Sequence, residues 1–327
     1  MLGVCINNDT SGTQFSLDRW LIYGVQASKF SVQQNAGSVT PPVGFANYLG
    51  VTSLSAYSVG AGDFFTVIQR IEGFNFADCN WGTANAKTVT LSFWVRSSLT
   101  GSFGGTITNS DASRSYPFSY TISSANTWEQ KSITVAGDTT GTWVGATNGT
   151  GVQVRFGLGS GATYTGTANT WAGTYYNQPT GTTSVVGTNG ATFYITGVQL
   201  EVGTQATTFT TAGGSYGAEL ALCQRYAYVI NGSQALNGST AFSDGTSIYD
   251  GSNNPYPVSM RTTPTITNSG TFTLNDGLGA TISTTPVWTS FTIGFRLNGT
   301  VATGLVTGRT YYLTLNSNAK ISISAEL

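Results

Sequence analysis

Glycine interrupts this chain at short, irregular intervals, 42 times in 327 residues. The segments between are rich in Thr, Ser, Val, Tyr and Phe and poor in helix formers. A helix does not extend through so many positions of maximal backbone freedom, whereas strands joined by tight turns use them. Period-two runs occupy residues 64–71, 87–96, 128–135, 152–156 and 192–200. Such alternation gives a strand one apolar face and one polar face. Apolar faces of this kind close by packing against each other, so the expected fold class is all-β, built on an antiparallel two-sheet sandwich.

The length suggests about two domains. One segment breaks the strand pattern: residues 218–226, Ala-Glu-Leu-Ala-Leu-Cys-Gln-Arg-Tyr, preceded by the glycine-rich stretch 213–217. It reads as a short helix with Glu219 near its start and Arg225 near its end, each favoured there by the helix dipole. The expected organisation is a sandwich over 1–212, a linker with that helix over 213–228, and a smaller β-domain over 229–327. In the last of these, 249–257 reads as a turn cluster, and 291–295, 311–315 and 321–323 read as strands. No heptad or short exact repeat is evident. The N-terminus lacks the basic and apolar regions of an export signal, and no apolar run is long enough for a membrane span.

Charged residues make up only 8% of the chain, 13 basic against 14 acidic, and there is no His. Scattered single basic residues do not form a nucleic-acid surface. Imidazole-dependent triads and metal sites are excluded outright. The remaining acids form no distinctive catalytic motif, and no nucleophile elbow or phosphate loop is present, so a non-enzymatic role is expected. No cofactor is expected; a calcium ion held by Asp18, Glu201 and carbonyls is the less favoured alternative. Cys5, Cys79 and Cys223 lack metal-ligand spacing, and three free or buried thiols are favoured over a Cys5–Cys79 bridge.

Several strings in this order, Leu17-Asp-Arg-Trp20, Gln69-Arg-Ile-Glu-Gly73, Val89-Thr-Leu-Ser-Phe-Trp-Val95, Thr127-Trp-Glu129, Phe193-Tyr-Ile-Thr-Gly-Val-Gln-Leu-Glu201 and Glu219-Leu-Ala-Leu-Cys-Gln-Arg-Tyr226, resemble a module recurrent in bacteriophage tail-fibre and virion appendage proteins. The resemblance covers roughly residues 15–265 and includes the segment 256–264. It implies a carbohydrate-binding-module-like jelly-roll, followed by a small C-terminal β-domain. It also implies a homo-oligomer, of order three, placed on the virion with other virion proteins and host cell-surface glycan as partners. A long N-terminal virion-attachment region of the kind many tail fibres carry is not seen.

Among the residues of these strings, Trp20, Phe93 and Trp94 read as core. Asp18 with Arg19, or Arg70 with Glu72, read as strand-end ion pairs. Sugar recognition calls for flat rings to stack on pyranose C–H faces and short polar groups to bond hydroxyls. Trp143, Tyr164, Trp171, Tyr175 and Tyr176 sit among Gly, Thr and Asn outside clear strands and are the leading candidates. Asp78 and Trp81 form a weaker second candidate, whose loop also reads as a cap on the sandwich. Contact with a neighbouring subunit explains the loop aromatics equally well, because interfaces also favour Tyr and Trp. A glycan-binding tail-fibre protein and a purely structural appendage protein are therefore the two functional expectations.

Overall fold

Alternation along the strands resolves into sheets that turn one side chain of every two toward a core. The computed structural model describes residues 14–17, 20–211, 213–232, 235–250, 253–278 and 281–326; Cys5, Asp18 and Arg19, with the readings that rest on them, lie outside these. Two compact units follow one another along the chain, the first through Thr210 and the second from Thr211 to Glu326.

The first unit is an antiparallel jelly-roll β-sandwich. Its strands are β1 Gln14–Leu17, β2 Trp20–Gly24, β3 Phe30–Gln34, β4 Leu49–Ser53, β5 Phe64–Glu72, β6 Val89–Ser97, β7 Gly101–Thr108, β8 Ser115–Ile122, β9 Glu129–Val135, β10 Thr150–Ser160, the short β11 Thr165–Gly166 and β12 Gln178–Pro179, and β13 Thr192–Val202. One sheet has the order β1-β2-β5-β10-β7-β8, the other β3-β4-β13-β6-β9. Their facing sides supply the core, and its centre is aromatic. Phe156 of β10 meets Phe93 of β6 edge-on with ring centroids 5.0 Å apart, and lies 6.3 Å from Phe193 of β13. All three rings are fully buried.

Alternation also corrects one reading. Phe93 lies in the core, but Trp94 is half-buried and outside that cluster, because the next residue along a strand points to the opposite face.

Strand β10 is buried on both faces. Its inner face meets the second sheet, and its outer face lies beneath the segment 164–179. There Gln178 packs so closely on Gly157 that a Cβ on the glycine would overlap the Gln178 amide oxygen. An isolated bridge joins Ala172 to Ser115, and Asn177 Nδ2 donates to Ser160 Oγ at 2.8 Å.

In the second unit, helix α1 spans Tyr216–Gln224, with Ser215 as its N-cap and Glu219 in its first turn. The strands are β14 Ala227–Asn231, β15 Ala235–Ser243, β16 Ser247–Asp250, β17 Asn254–Pro255, β18 Thr265–Ser269, β19 Phe272–Asn275, β20 Thr281–Thr284, β21 Trp288–Ser290, β22 Gly294–Leu297, β23 Thr300–Val301, β24 Thr310–Leu315 and β25 Lys320–Ser324. They form sheets β14-β25-β18, β20-β19-β24-β15-β16-β23 and β17-β22-β21 around a core containing Phe272, Leu274, Phe295, Tyr311 and Leu313. The strand expected at 291–295 starts instead at Gly294, because Phe291 N donates to Gly294 O and closes a turn there. The turn cluster expected at 249–257 is likewise partly strand, with Tyr249 in β16 and Asn254–Pro255 forming β17.

Truncating a core ring should expose its cost directly. Phe156→Ala is expected to destabilise the first unit by about 3–5 kcal/mol, whereas Phe74→Ala, at a residue 57% exposed, should cost under about 0.5 kcal/mol; urea unfolding followed by tryptophan fluorescence measures both.

Candidate functional site

Three loops converge on one end of the sandwich, each bringing a tryptophan. Trp81 follows the 3₁₀ turn Ala77–Cys79, Trp143 follows β9, and Trp171 lies in the segment between β11 and β12. Their rings are mutually perpendicular: 4.7 Å between Trp81 and Trp143, 5.2 Å between Trp81 and Trp171, and 5.7 Å between Trp143 and Trp171, each pair at 87°. Edge-to-face contacts of this kind add about 0.5–1.5 kcal/mol per pair beyond burial. Each indole N–H is bonded within the chain: Trp81 Nε1 to Lys87 O at 2.7 Å, Trp171 Nε1 to Ala136 O at 2.8 Å, and Trp143 Nε1 to Thr140 O at 3.2 Å. Arg114 lies over the Trp171 ring, 5.8 Å from its centroid. Its Nε and Nη2 donate to Asp138 at 2.7 and 2.8 Å. Rings and polar tips are thus engaged internally, and the cluster closes the end of the core as a cap.

The structure therefore brings together Trp81, Trp143 and Trp171, which the sequence left in separate loops. Asp78 is exposed in its 3₁₀ turn. Tyr164 and Tyr175 join a second cluster, 4.6 and 5.4 Å from Phe64. Tyr175 also lies over Arg155, whose Nη1 donates to the Tyr175 hydroxyl at 2.8 Å. Burial pushes the Tyr175 phenol up to about 12. Tyr176 packs against Gly166, and its backbone N–H donates to Ser115 Oγ. These three tyrosines fasten the segment over the outer face of the six-stranded sheet, where Gln153 and Arg155 are buried beneath it.

Other assignments also settle into local structure. Cys79 is a buried free thiol whose pKa burial pushes up to about 11, and Cys223 is half-buried. The Glu201 carboxylate accepts from Thr207 N and Oγ1 at 2.8 and 2.7 Å and from Gln199 Nε2 at 2.9 Å. Among the described residues no three His, Cys, Asp or Glu side chains gather as a metal site.

The outer face of the five-stranded sheet is different. Near one end Tyr48, Trp128 and Tyr194 pack together, with Tyr48 and Tyr194 5.1 Å apart and Trp128 Nε1 donating to Thr40 O. Arg96 lies over the Tyr194 ring at 5.5 Å and donates through Nε to Asn126 O. Beside them on β6 is Trp94, in register with Thr196 on β13 and Gln130 on β9. Trp94 is half-buried, and its indole N–H has no partner among the described residues, unlike those of Trp81, Trp128, Trp143, Trp171 and Trp288. Gln130 and Ser132 on the edge strand are exposed. The face thus offers one available aromatic ring with amide, hydroxyl and guanidinium groups around it. Sequence reading missed it by assigning Trp94 to the core; the signal was the strict alternation of Val89, Leu91, Phe93 and Val95, which sets Trp94 on the other face.

Neither the comparison with protein families nor that with curated proteins returned a match. Among solved structures, the chain is similar to the enzymatically active domain of tailspike protein 4 of bacteriophage CBA120, with 12% identity, TM-score 0.32, and coverage of 56% of this chain and 19% of that one. It thus spans under a fifth of that domain's length. It is also similar to the N-terminal cellulose-binding domain of a Cellulomonas fimi β-1,4-glucanase, with 16% identity, TM-score 0.27, and 57% and 90% of the two chains covered. A family 11 carbohydrate-binding module from Clostridium thermocellum in complex with a mixed-linked tetrasaccharide gives 12% identity, TM-score 0.30, and coverage of 63% and 98%.

The cap has a pH signature. Burial raises the Asp138 carboxyl, but the bonds from Arg114 and Thr140 outweigh it, and its pKa lies below the ordinary carboxylate value. A depressed folded pKa contributes stability above the unfolded value of about 3.9, lost as pH falls through the folded value. Arg114→Met leaves the buried carboxylate unpaired, so at pH 7 it should destabilise the first unit by about 3 kcal/mol, and the loss of stability below about pH 4 should become shallower. Urea midpoints across that range test both; a variant as stable as wild type at neutral pH would show that the pair does not hold the cap.

Proposed function

We propose that this chain is a non-enzymatic, glycan-binding protein of a phage virion appendage, and that the outer face of its five-stranded sheet meets the sugar. The observation that carries the reading is Trp94: a half-buried ring on a strand, its N–H without a partner among the described residues, beside the exposed Gln130 and Ser132 of the edge strand and the Arg96 guanidinium. A pyranose presents an apolar C–H face and a rim of hydroxyls, and a fixed ring bordered by amide, hydroxyl and guanidinium groups matches both. Placing the ring on a strand holds it without an ordering cost at the moment of binding.

The virion setting draws its support from the order of sequence strings that resemble tail-fibre modules. A shallow face with one free ring binds weakly. Display in several copies then raises the avidity through effective concentration.

The loop aromatics take a different role from the one their composition suggested. Trp143 and Trp171 cap the core, and Tyr164 and Tyr175 fasten the segment over the six-stranded sheet, so their substitution acts first on stability.

Titration of purified host-surface polysaccharides and a glycan array test the reading. Trp94→Ala should weaken binding at least tenfold, about 1.4 kcal/mol, with little change in thermal midpoint, while Trp171→Ala should lower the midpoint. Because the face is nearly charge-free, affinity should change little between low and high salt. Undiminished binding by Trp94→Ala would overturn the assignment of the face, and release of reducing sugar would overturn the non-enzymatic reading.

A further inference from the structure

The second unit carries an apolar stripe on the outer face of its six-stranded sheet. Phe242 on β15 stands directly opposite Tyr249 on β16. Tyr312 on β24 is one diagonal step from Phe242, since Thr310 pairs with Phe242 and Tyr312 with Thr240. Val301 on β23 is one diagonal step from Tyr249, since it pairs with Ser247. The four residues form a continuous line across four adjacent strands, and they are 64%, 47%, 42% and 69% exposed respectively. Their sequence neighbours Ala241, Ile248, Tyr311 and Thr300 are fully buried on the core side. The stripe is therefore the second face of well-ordered strands.

We infer that this stripe is a self-association interface, and that its occupant is the same face of a second copy of this chain. The area fits. With aromatic side chains presenting about 150–250 Å2 each, these exposures leave roughly 400 Å2 of largely apolar surface. A standard interface takes about 800 Å2 from each partner, a little over half of it apolar. The stripe supplies most of that apolar share. Charge selects the occupant. The flanking residues on the same face, Ser247, Thr273, Asn275, Thr310 and Thr314, are neutral, and the charged groups at the rim are engaged within the chain: Arg309 is bonded to Asp276 at 2.6 Å, and the exposed Asp244 carboxylate accepts from Thr246 N and Ser247 N at 2.8 and 2.6 Å. A contact between like faces around a symmetry axis brings each group near its equivalents, so a charged face repels itself while a neutral apolar one does not.

This assignment rests on the multi-copy part of the proposed function and is independent of the sugar-binding part. Light scattering on the full chain across a dilution series, with thermal melts as the folding control, tests it. Wild type should show a multiple of the 34.2 kDa chain mass. Phe242→Ser with Tyr249→Ser should weaken association about a hundredfold while leaving the melting midpoint and polysaccharide binding per chain unchanged. Val301→Lys, which sets like charges face to face, should act in the same direction. Leu278→Ser, at a residue 78% exposed away from the stripe, should leave the mass unchanged. An oligomer that persists in the stripe variants would overturn the interface and leave the multi-copy reading standing. A wild-type chain that is monomeric at every concentration would overturn both.

Discussion

Interlock of aromatic rings across the two sheets is the interaction on which the first unit depends. Phe156 contacts Phe93 and Phe193 from the facing sheet, so the two sheets cannot slide without separating these rings. Register then propagates outward. Because side chains alternate along each strand, fixing Phe93 inward fixes Trp94 and Arg96 outward, and fixing Phe193 inward fixes Tyr194 on the same outer face. The candidate ligand face is in this sense a by-product of core packing, and it inherits the rigidity of that packing.

The two outer faces of the sandwich are covered to different extents. On the six-stranded sheet, the segment 164–179 lies over β10, and the buried Arg155 finds Tyr175 and Gln153 as partners in place of water. On the five-stranded sheet, the edge strand β9 keeps Gln130 and Ser132 exposed, and the Trp94 indole N–H has no partner among the described residues. Aromatic residues that look alike in composition therefore divide into fasteners and one available platform. A buried polar group must find a partner inside the protein, whereas an exposed one is free to exchange water for a ligand.

Much of the fold was legible in the sequence. Alternation at 64–71, 87–96 and 192–200 corresponds to β5, β6 and β13, and the Ala218–Tyr226 segment corresponds to α1 within a few residues. The site was less legible. Trp143 and Trp171 lie in polar loops with no local sign that they meet Trp81, because that meeting joins segments far apart in sequence through loop closure. Trp94 was misread for the opposite reason. Its neighbours Phe93 and Val95 are core, and a hydrophobic residue among hydrophobic residues carries no local mark of facing outward.

By itself the sequence determined the class of structure: period-two runs separated by glycine are compatible with sheets and turns, and the absence of His removes imidazole chemistry. Only the tertiary structure decided which aromatic rings are available. Local pattern sets the side of a strand to which a residue points, but exposure depends on whether a distant segment lies over that side, as residues 164–179 lie over Arg155 and nothing described lies over Phe242 and Tyr249. Loop closure over a face is a long-range event, and short-range periodicity contains no information about it.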